Sequence, residues 1–434
     1  MVKPAVVRSQ PVSCSLSPVS IVSTVSTRHS PVSSPHLIVA GSGPVGVVAA
    51  LLASQQGFRV TLLEEAAAVD TNPRAATTHP STLEMIARLG IIDEFIAAGL
   101  TARHFEFWDR VERSRVARLD HALLANDTPY PFVVQTEQHK LANIGLAHLA
   151  RRSGVDIRFN ARVAGLTQDD ESVTVTTEGP SGQHAVRADY LIGADGGRST
   201  IRKALDIEFE GYTWPERFIV LTTTFDFEAA MGCCHRTYFA DPDEWTNLFK
   251  VSGDDGLGRW RAVFPTRVDE TDAQALDDVA VQARLKRVWP REALYPVVHR
   301  NIYNVHQRVA VRFRQGRAFL AGDSAHVNNP IGGLGLNCGI HDAMELVDTL
   351  HAVAFGGADA TLLDRYERRR RPQNIEYVQQ QTIANKKRLE ERDPVAREAR
   401  FAELRAIEAD PVRQREFLMR SSLLESARKV QSID

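Results

Sequence analysis

The sequence predicts a mixed α/β (α+β) fold: a Rossmann-like domain with an antiparallel sheet interleaved into it and a helical C-terminus. Three strand–turn–helix corners predict the first part. An aromatic, strand-rich stretch at residues 222–266 predicts the second, and charged helical periodicity after residue 362 the third.

The first corner is His36-Leu-Ile-Val-Ala-Gly41-Ser-Gly43-Pro44-Val45-Gly46. Its apolar run forms a strand. Gly41 permits the tight turn, Gly43 lets a diphosphate approach the backbone, and Gly46 lets the next helix pack close to the sheet. That helix covers residues 44–56, with Gly57 closing it. A second strand, residues 59–63, runs into Glu64-Glu65. An acid at that point hydrogen-bonds an adenosine ribose, so the whole unit reads as a dinucleotide site.

The second corner, residues 189–202, is a strand ending in Gly193-Ala-Asp195-Gly196, then a helix carrying Arg202. The third starts as an apolar strand, residues 318–321, and ends in Gly322-Asp323. A loop follows with Asn328, Asn329 and Pro330, and Gly335-Leu336-Asn337 opens an amphipathic helix. An acid ending a buried strand accepts hydrogen bonds from a sugar chain. Free N–H groups at a helix start hold an electron-rich ring. The two together suit FAD.

Between the corners the pattern gives helices at 81–89 and 93–98, strands at 105–108 and 133–135, and a helix at 140–153. Strands follow at 155–159, 161–166 and 173–177, with a hairpin turn at Pro180-Ser181-Gly182. The expected division is a disordered leader at 1–34 and an FAD-binding domain at 35–210 and 300–371, with second-domain strands interleaved near 100–135. The substrate-domain sheet takes 211–299 and the C-terminal helices 372–434.

The three corners, in this order, resemble those of the FAD-dependent aromatic hydroxylases, the flavoprotein monooxygenases of the para-hydroxybenzoate hydroxylase type. Other segments join the resemblance: Arg74-Ala75 with Pro80, Thr82, Leu83 and Glu84; Gln135 with Leu141; and Tyr366, Arg369 and Pro372. It extends over about residues 37–371. One departure is Ser324, where the third motif has alanine. Another is Asn328-Asn329, where more apolar residues are common.

The resemblance implies an NADH- or NADPH-consuming monooxygenase that hydroxylates a phenolic or heteroaromatic ring through a flavin C4a-hydroperoxide. It implies diphosphate contacts at Gly41, Gly43, Pro44, Val45 and Gly46, and ribose contacts at Glu64 and Glu65. Arg74 and Gln135 fall beside the flavin, and Gly322 and Asp323 at the ribityl chain. Backbone donors at Gly335, Leu336 and Asn337 face the ring, where negative charge develops on reduction. Asp195 and Arg202 support a site shared by FAD and NAD(P)H. Pro330 and Asn329 border the substrate side. Tyr238, Trp245, Asn247, Phe249 and Arg261 fall in the region that walls the substrate. Tyr238 is placed to hydrogen-bond a phenol and Arg261 to pair a carboxylate; core packing is the competing reading for each aromatic.

Composition narrows the partners. A net charge of −2 over 434 residues gives no basic surface for nucleic acid. The cysteines, at 14, 233, 234 and 338, match neither a zinc site nor a disulfide framework, and no metal is expected. No apolar run is long enough to span a membrane. The expected partners are a small aromatic substrate and O2, with a homodimer left open. The expected location is cytoplasmic, with organellar import by the Ser-rich leader as the lesser alternative. The alternative activity is a flavin-dependent reductase, oxidase or epoxidase on the same fold. A flavin halogenase is disfavoured because its Trp-x-Trp-x-Ile segment is absent.

Overall fold

The computed structural model describes residues 1–2, 34–72, 74 and 76–434. Cys14, Ala75 and nearly all of the expected leader lie outside them. The dinucleotide core is a six-stranded sheet in the order Arg314–Gln315, Ala318–Leu320, Tyr190–Gly193, His36–Ala40, Arg59–Leu63, Val155–Arg158. All pairs are parallel except the first. His36–Ala40 is buried throughout, as a central strand covered on both faces must be. The helices Pro44–Gln55 and Leu334–Ala354 pack against each other over this sheet. Gly339 makes the contact close, since a Cβ there would lie 2.7 Å from Val45 Cγ2.

The second sheet has eight strands in the order His326–Val327, Val297–Ala310, Phe209–Thr223, Arg259–Pro265, Thr246–Val251, Arg236–Ala240, His104–Asp109, Ser114–Asp120. Two of these, Phe209–Thr223 and Val297–Ala310, pair along nearly their whole length. The division expected at residues 299/300 falls inside the second of them, a strand that sequence periodicity did not reveal. Polar residues occupy much of it because its outer half is exposed.

Register divides the sheet into two faces. One carries Ile219, Leu221, Phe239, Leu248, Ala262 and Phe264, packed beneath the helix Asp278–Val288. On the other, Arg236, Phe249, Arg261, Thr222 and His299 form one cross-strand row, and Tyr238, Asn247, Val263, Val220 and Asn301 the next. A third row on the same face holds Phe218 and Tyr303, with Trp245 packed against Phe218. The helices Pro394–Ala409 and Pro411–Ser421 cover part of this face through Phe401, Leu404 and Leu418. Among the described residues, no helix is long and apolar enough to cross a membrane.

Candidate cofactor and substrate site

The glycine turn is built as the spacing demands. Gly41 has φ +105°, and a Cβ on it would lie 2.3 Å from the Ala194 carbonyl oxygen. A Cβ on Gly46 would lie 1.9 Å from the Gly41 oxygen. Gly43 differs: nothing lies within 4 Å of where its Cβ would be. Two of the glycines are required by packing, and the third opens the backbone to a ligand.

Glu64 is fixed by Ser42, whose N–H and hydroxyl both donate to Oε2 at 2.8 Å, and by the Ala66 N–H, which donates to Oε1 at 2.9 Å. A carboxylate accepts about four hydrogen bonds, so acceptor capacity remains for a ribose. Glu64 lines a cavity of about 130 Å³ together with Ser42, Gly43, Pro44, Arg74 and Gln138. Glu65 does not line it; adjacent strand-end residues point opposite ways, and Glu65 is exposed. Of the two acids expected at the ribose, Glu64 alone lines this cavity.

Asp323 is accessible to solvent yet enclosed by protein on its other sides. That enclosure raises its carboxyl pKa, against the opposing pull of His326 and Arg74. The turn beneath it is held by Asp342, whose Oδ2 accepts from the Gly322 N–H at 3.1 Å and lies 2.6 Å from His326 Nε2. Arg370 donates to the other oxygen of Asp342 at 2.7 Å. Gly332 and Gly333 have positive φ and lead into the helix Leu334–Ala354, which has no side-chain N-cap. Its first-turn N–H groups, around Gly335, Leu336 and Asn337, are thus available to a ligand. The Asn337 side chain is already committed: its amide donates to the Thr77 oxygen, and its oxygen accepts from the His79 N–H. Gln135 accepts from the Thr77 hydroxyl at 2.8 Å, and its buried Nε2 has no partner.

Asp195 and Arg202 act locally. Asp195 accepts from the Ser199 hydroxyl and the Ile201 N–H. Arg202 donates to the Ser324 and Gly197 oxygens at 2.8 and 2.9 Å, tying the second corner to the third. Arg74 pairs with Asp70 at 3.0 Å on the rim.

The substrate-side expectations divide. Phe249 is half-buried on the shared sheet face. Asn247 is buried there, with Oδ1 unpartnered. Arg261 is buried and lies 4.0 Å from Glu137, a carboxylate that Lys140 already pairs at 3.0 Å, so its charge is only partly offset. Arg261 and Glu137 line a cavity of about 240 Å³ beside the nucleotide end. Trp245 is a core residue, edge-on to Phe218 at 5.0 Å. The Tyr238 hydroxyl is sealed among Phe105, Phe107 and Phe249, with no partner and no access, so it cannot reach a ligand without repacking. Asn329 is turned inward, its Oδ1 accepting from the Ile331 N–H, while Pro330 is exposed beside it.

Two residues went unnoticed in the sequence. Tyr303 lies on the hidden strand. Arg236 is buried without a carboxylate partner, stacks on Phe105 at 4.1 Å, and donates to the Gly332 oxygen at 3.4 Å. No local signal marks either residue; an arginine two residues before a tyrosine reads as an exposed strand position.

Arg236 sits near buried histidines. Burial first, then the Arg236 charge, lowers the His121 pKa to about 3 and depresses His79 strongly. Burial and Arg370 bring His341 to about 3 despite Asp342. All three are neutral in the fold. Below pH 6.5 the unfolded chain binds protons that the folded protein does not take up until about pH 3, so stability falls with pH across that window. Each imidazole contributes roughly 1.4 kcal/mol per pH unit there. The melting temperature should drop steeply from pH 7 to pH 5, and His121→Gln should flatten the slope. A flat profile would refute the buried neutral histidines.

The glycine turn, the strand-end acids Glu64 and Asp323 and the uncapped helix are a set that suits a dinucleotide flavin. Residues 35–381 match the family model described as FAD binding domain, and the chain belongs to that family. It is 33% identical over 398 residues to para-nitrophenol 4-monooxygenase from a Pseudomonas species, covering 91% of this chain and 97% of the relative. It is 34% identical to 6-hydroxy-3-succinoylpyridine 3-monooxygenase from Pseudomonas putida, over 82% of this chain and 90% of that one. The crystal structure of p-nitrophenol 4-monooxygenase PnpA from Pseudomonas putida superposes with a TM-score of 0.85 at 33% identity, covering 91% of this chain and 98% of that one. The protein is an FAD-dependent aromatic monooxygenase.

Proposed function

We propose that the chain hydroxylates a small phenol or hydroxypyridine with electrons from NADH or NADPH. The balance is ring C–H, O2, NAD(P)H and a proton giving ring C–OH, water and NAD(P)+. The observation that carries this reading is the clustering of unpartnered buried polar atoms on adjacent rows of one sheet face: Arg236, Asn247, Arg261, Thr222 and His299. Buried polar groups cost free energy unless something pairs them, and a polar ring on this face supplies partners. The small-ring substrates in the names of the two relatives support the size.

The residues present fit FAD. Gly41, Gly43, Pro44, Val45 and Gly46 would hold the diphosphate, and Glu64 the ribose. Asp323 would take the ribityl chain, Arg74 and Gln135 would flank the ring, and the helix start at 335–337 would face its pyrimidine end. Bound there, FAD supplies electron transfer from NAD(P)H and activation of O2. The chain's own part is to orient the ring and keep water out. Phe218, Phe249 and Trp245, with the C-terminal helices behind them, make the apolar enclosure. We place the protein in the cytoplasm, supported by three buried, free cysteines among the described residues, and leave a homodimer open. Cell fractionation and light scattering test these two points.

Labelled O2 tests the reaction. With a panel of phenols and hydroxypyridines, at least one should accelerate NAD(P)H oxidation and acquire one labelled oxygen. Accelerated oxidation that yields only hydrogen peroxide across the panel would favour the oxidase alternative.

A further inference from the structure

We propose that the cavity of about 240 Å³ beside the nucleotide end seats the diphosphate of the nicotinamide donor, with Arg261 and Thr222 as its ligands. The proposal rests on the NAD(P)H reading above and adds the place where that co-substrate is held. Arg261 and Thr222 pair in register on neighbouring strands and enter the cavity wall together. Each carries a buried polar atom without a partner, Arg261 Nε and Thr222 Oγ1. His139 lines this cavity and also the one that holds Ser42, Gly43 and Glu64. The two cavities meet at that residue, so a ligand in the first lies alongside the nucleotide end of the second. Arg261 also donates to the Arg74 oxygen at 3.4 Å, and Arg74 lines the neighbouring cavity.

Charge singles this place out. Five arginines among the described residues keep a buried nitrogen unpartnered: Arg110, Arg236, Arg261, Arg365 and Arg397. Arg110, Arg365 and Arg397 each have a carboxylate at 2.9, 3.7 and 2.5 Å. Arg236 lines neither cavity. The other charges around Arg261 are committed. Glu137 pairs with Lys140 at 3.0 Å and accepts from the Gly253 N–H at 3.1 Å, and Arg259 pairs with Asp255. Asp254 stands 3.5 Å from His139 with its side chain 85% exposed, so water and salt screen it. Arg261 is left enclosed, with Glu137 at 4.0 Å as a shared counter-charge. Burial pulls its pKa down, so an anion beside it stabilises a charge that is otherwise unfavourable to hold. A phenol or hydroxypyridine brings at most one charge, on the ring oxygen. A dinucleotide brings two on its diphosphate, which accept from a guanidinium and a hydroxyl together.

The test uses the holoenzyme and follows flavin reduction in the absence of oxygen, with 4-nitrophenol present. The donors are NADH, NADPH and 1-benzyl-1,4-dihydronicotinamide, which carries no phosphate. Arg261→Gln should raise the apparent Kd of whichever nucleotide serves the wild type about tenfold or more. Its limiting reduction rate should change less than about threefold, and reduction by the benzyl donor less than about twofold. Thr222→Val should raise the nucleotide Kd about three- to tenfold. Asp254→Asn should lower it about twofold by removing a like charge at the mouth. Affinities for 4-nitrophenol and 4-hydroxybenzoate, read from the perturbed flavin spectrum, should hold within about twofold in all three. If Arg261→Gln sheds FAD, Thr222→Val and Asp254→Asn decide the matter. An unchanged nucleotide Kd, or an equal loss with the benzyl donor, would overturn the site. A selective loss of 4-hydroxybenzoate would overturn it in favour of a substrate carboxylate. Wild-type flavin that neither nucleotide reduces overturns the NAD(P)H reading itself, and this site falls with it.

Discussion

Gly43→Ala is expected to give a protein that melts like the wild-type apoprotein and cannot retain FAD. A Cβ at Gly43 meets nothing within 4 Å, and its backbone (φ −62°, ψ 171°) suits any residue. The apoprotein's stability should change by no more than about 0.5 kcal/mol. The methyl group would instead occupy the space through which a diphosphate reaches the helix start. Gly46→Ala should behave in the opposite way. Its Cβ would lie 1.9 Å from the Gly41 oxygen, which is backbone and cannot swing aside. The turn must open, at a cost of roughly 1–3 kcal/mol or more before any ligand is considered. Apoprotein melting curves and flavin retained after gel filtration separate the two. Stoichiometric FAD in Gly43→Ala would show that the diphosphate does not pass over this residue.

Asp323→Asn should trade stability against cofactor. The carboxyl is enclosed enough for its pKa to rise, so holding it ionised in the apoprotein is unfavourable. Removing the charge should leave the apoprotein as stable or more so. It should also remove a charge-assisted hydrogen bond to the ribityl chain, worth about 1.5–3 kcal/mol, or roughly 10- to 150-fold in FAD affinity. Asp323→Ala should lose at least as much. The supporting triad of His326, Asp342 and Arg370 is untouched by either change, so the turn itself should persist. Titration of FAD into apoprotein, followed by flavin fluorescence, checks the affinity. Unchanged affinity in both variants would remove Asp323 from the cofactor site.

The nucleotide end of this protein was legible in the chain because its determinants are local. A turn at φ +105° and a glycine whose Cβ would lie 1.9 Å from the Gly41 carbonyl oxygen lie on one short turn, and the acid at the strand end meets Ser42 within the same strand–helix–strand unit. Residue type therefore encodes Gly41, Gly43, Gly46 and Glu64 directly. The strand Arg59–Leu63 was read with its observed bounds, and the helix at 44–56 to within one residue. The substrate end was not legible. Phe209–Thr223 and Val297–Ala310 define its floor only by pairing with each other across about 80 residues of chain, with irregularities near Thr213 and Thr222. Alternation along either strand is masked because one end is exposed and the other enclosed. Composition alone does not separate core from wall among the aromatics of such a sheet; enclosure made Trp245 core and sealed Tyr238. Sequence by itself determined the dinucleotide turn and its acids, because backbone sterics and strand ends act over a few residues. Only the tertiary structure decided which polar groups are left unpartnered beside that turn, because burial is a property of the neighbours that distant segments bring.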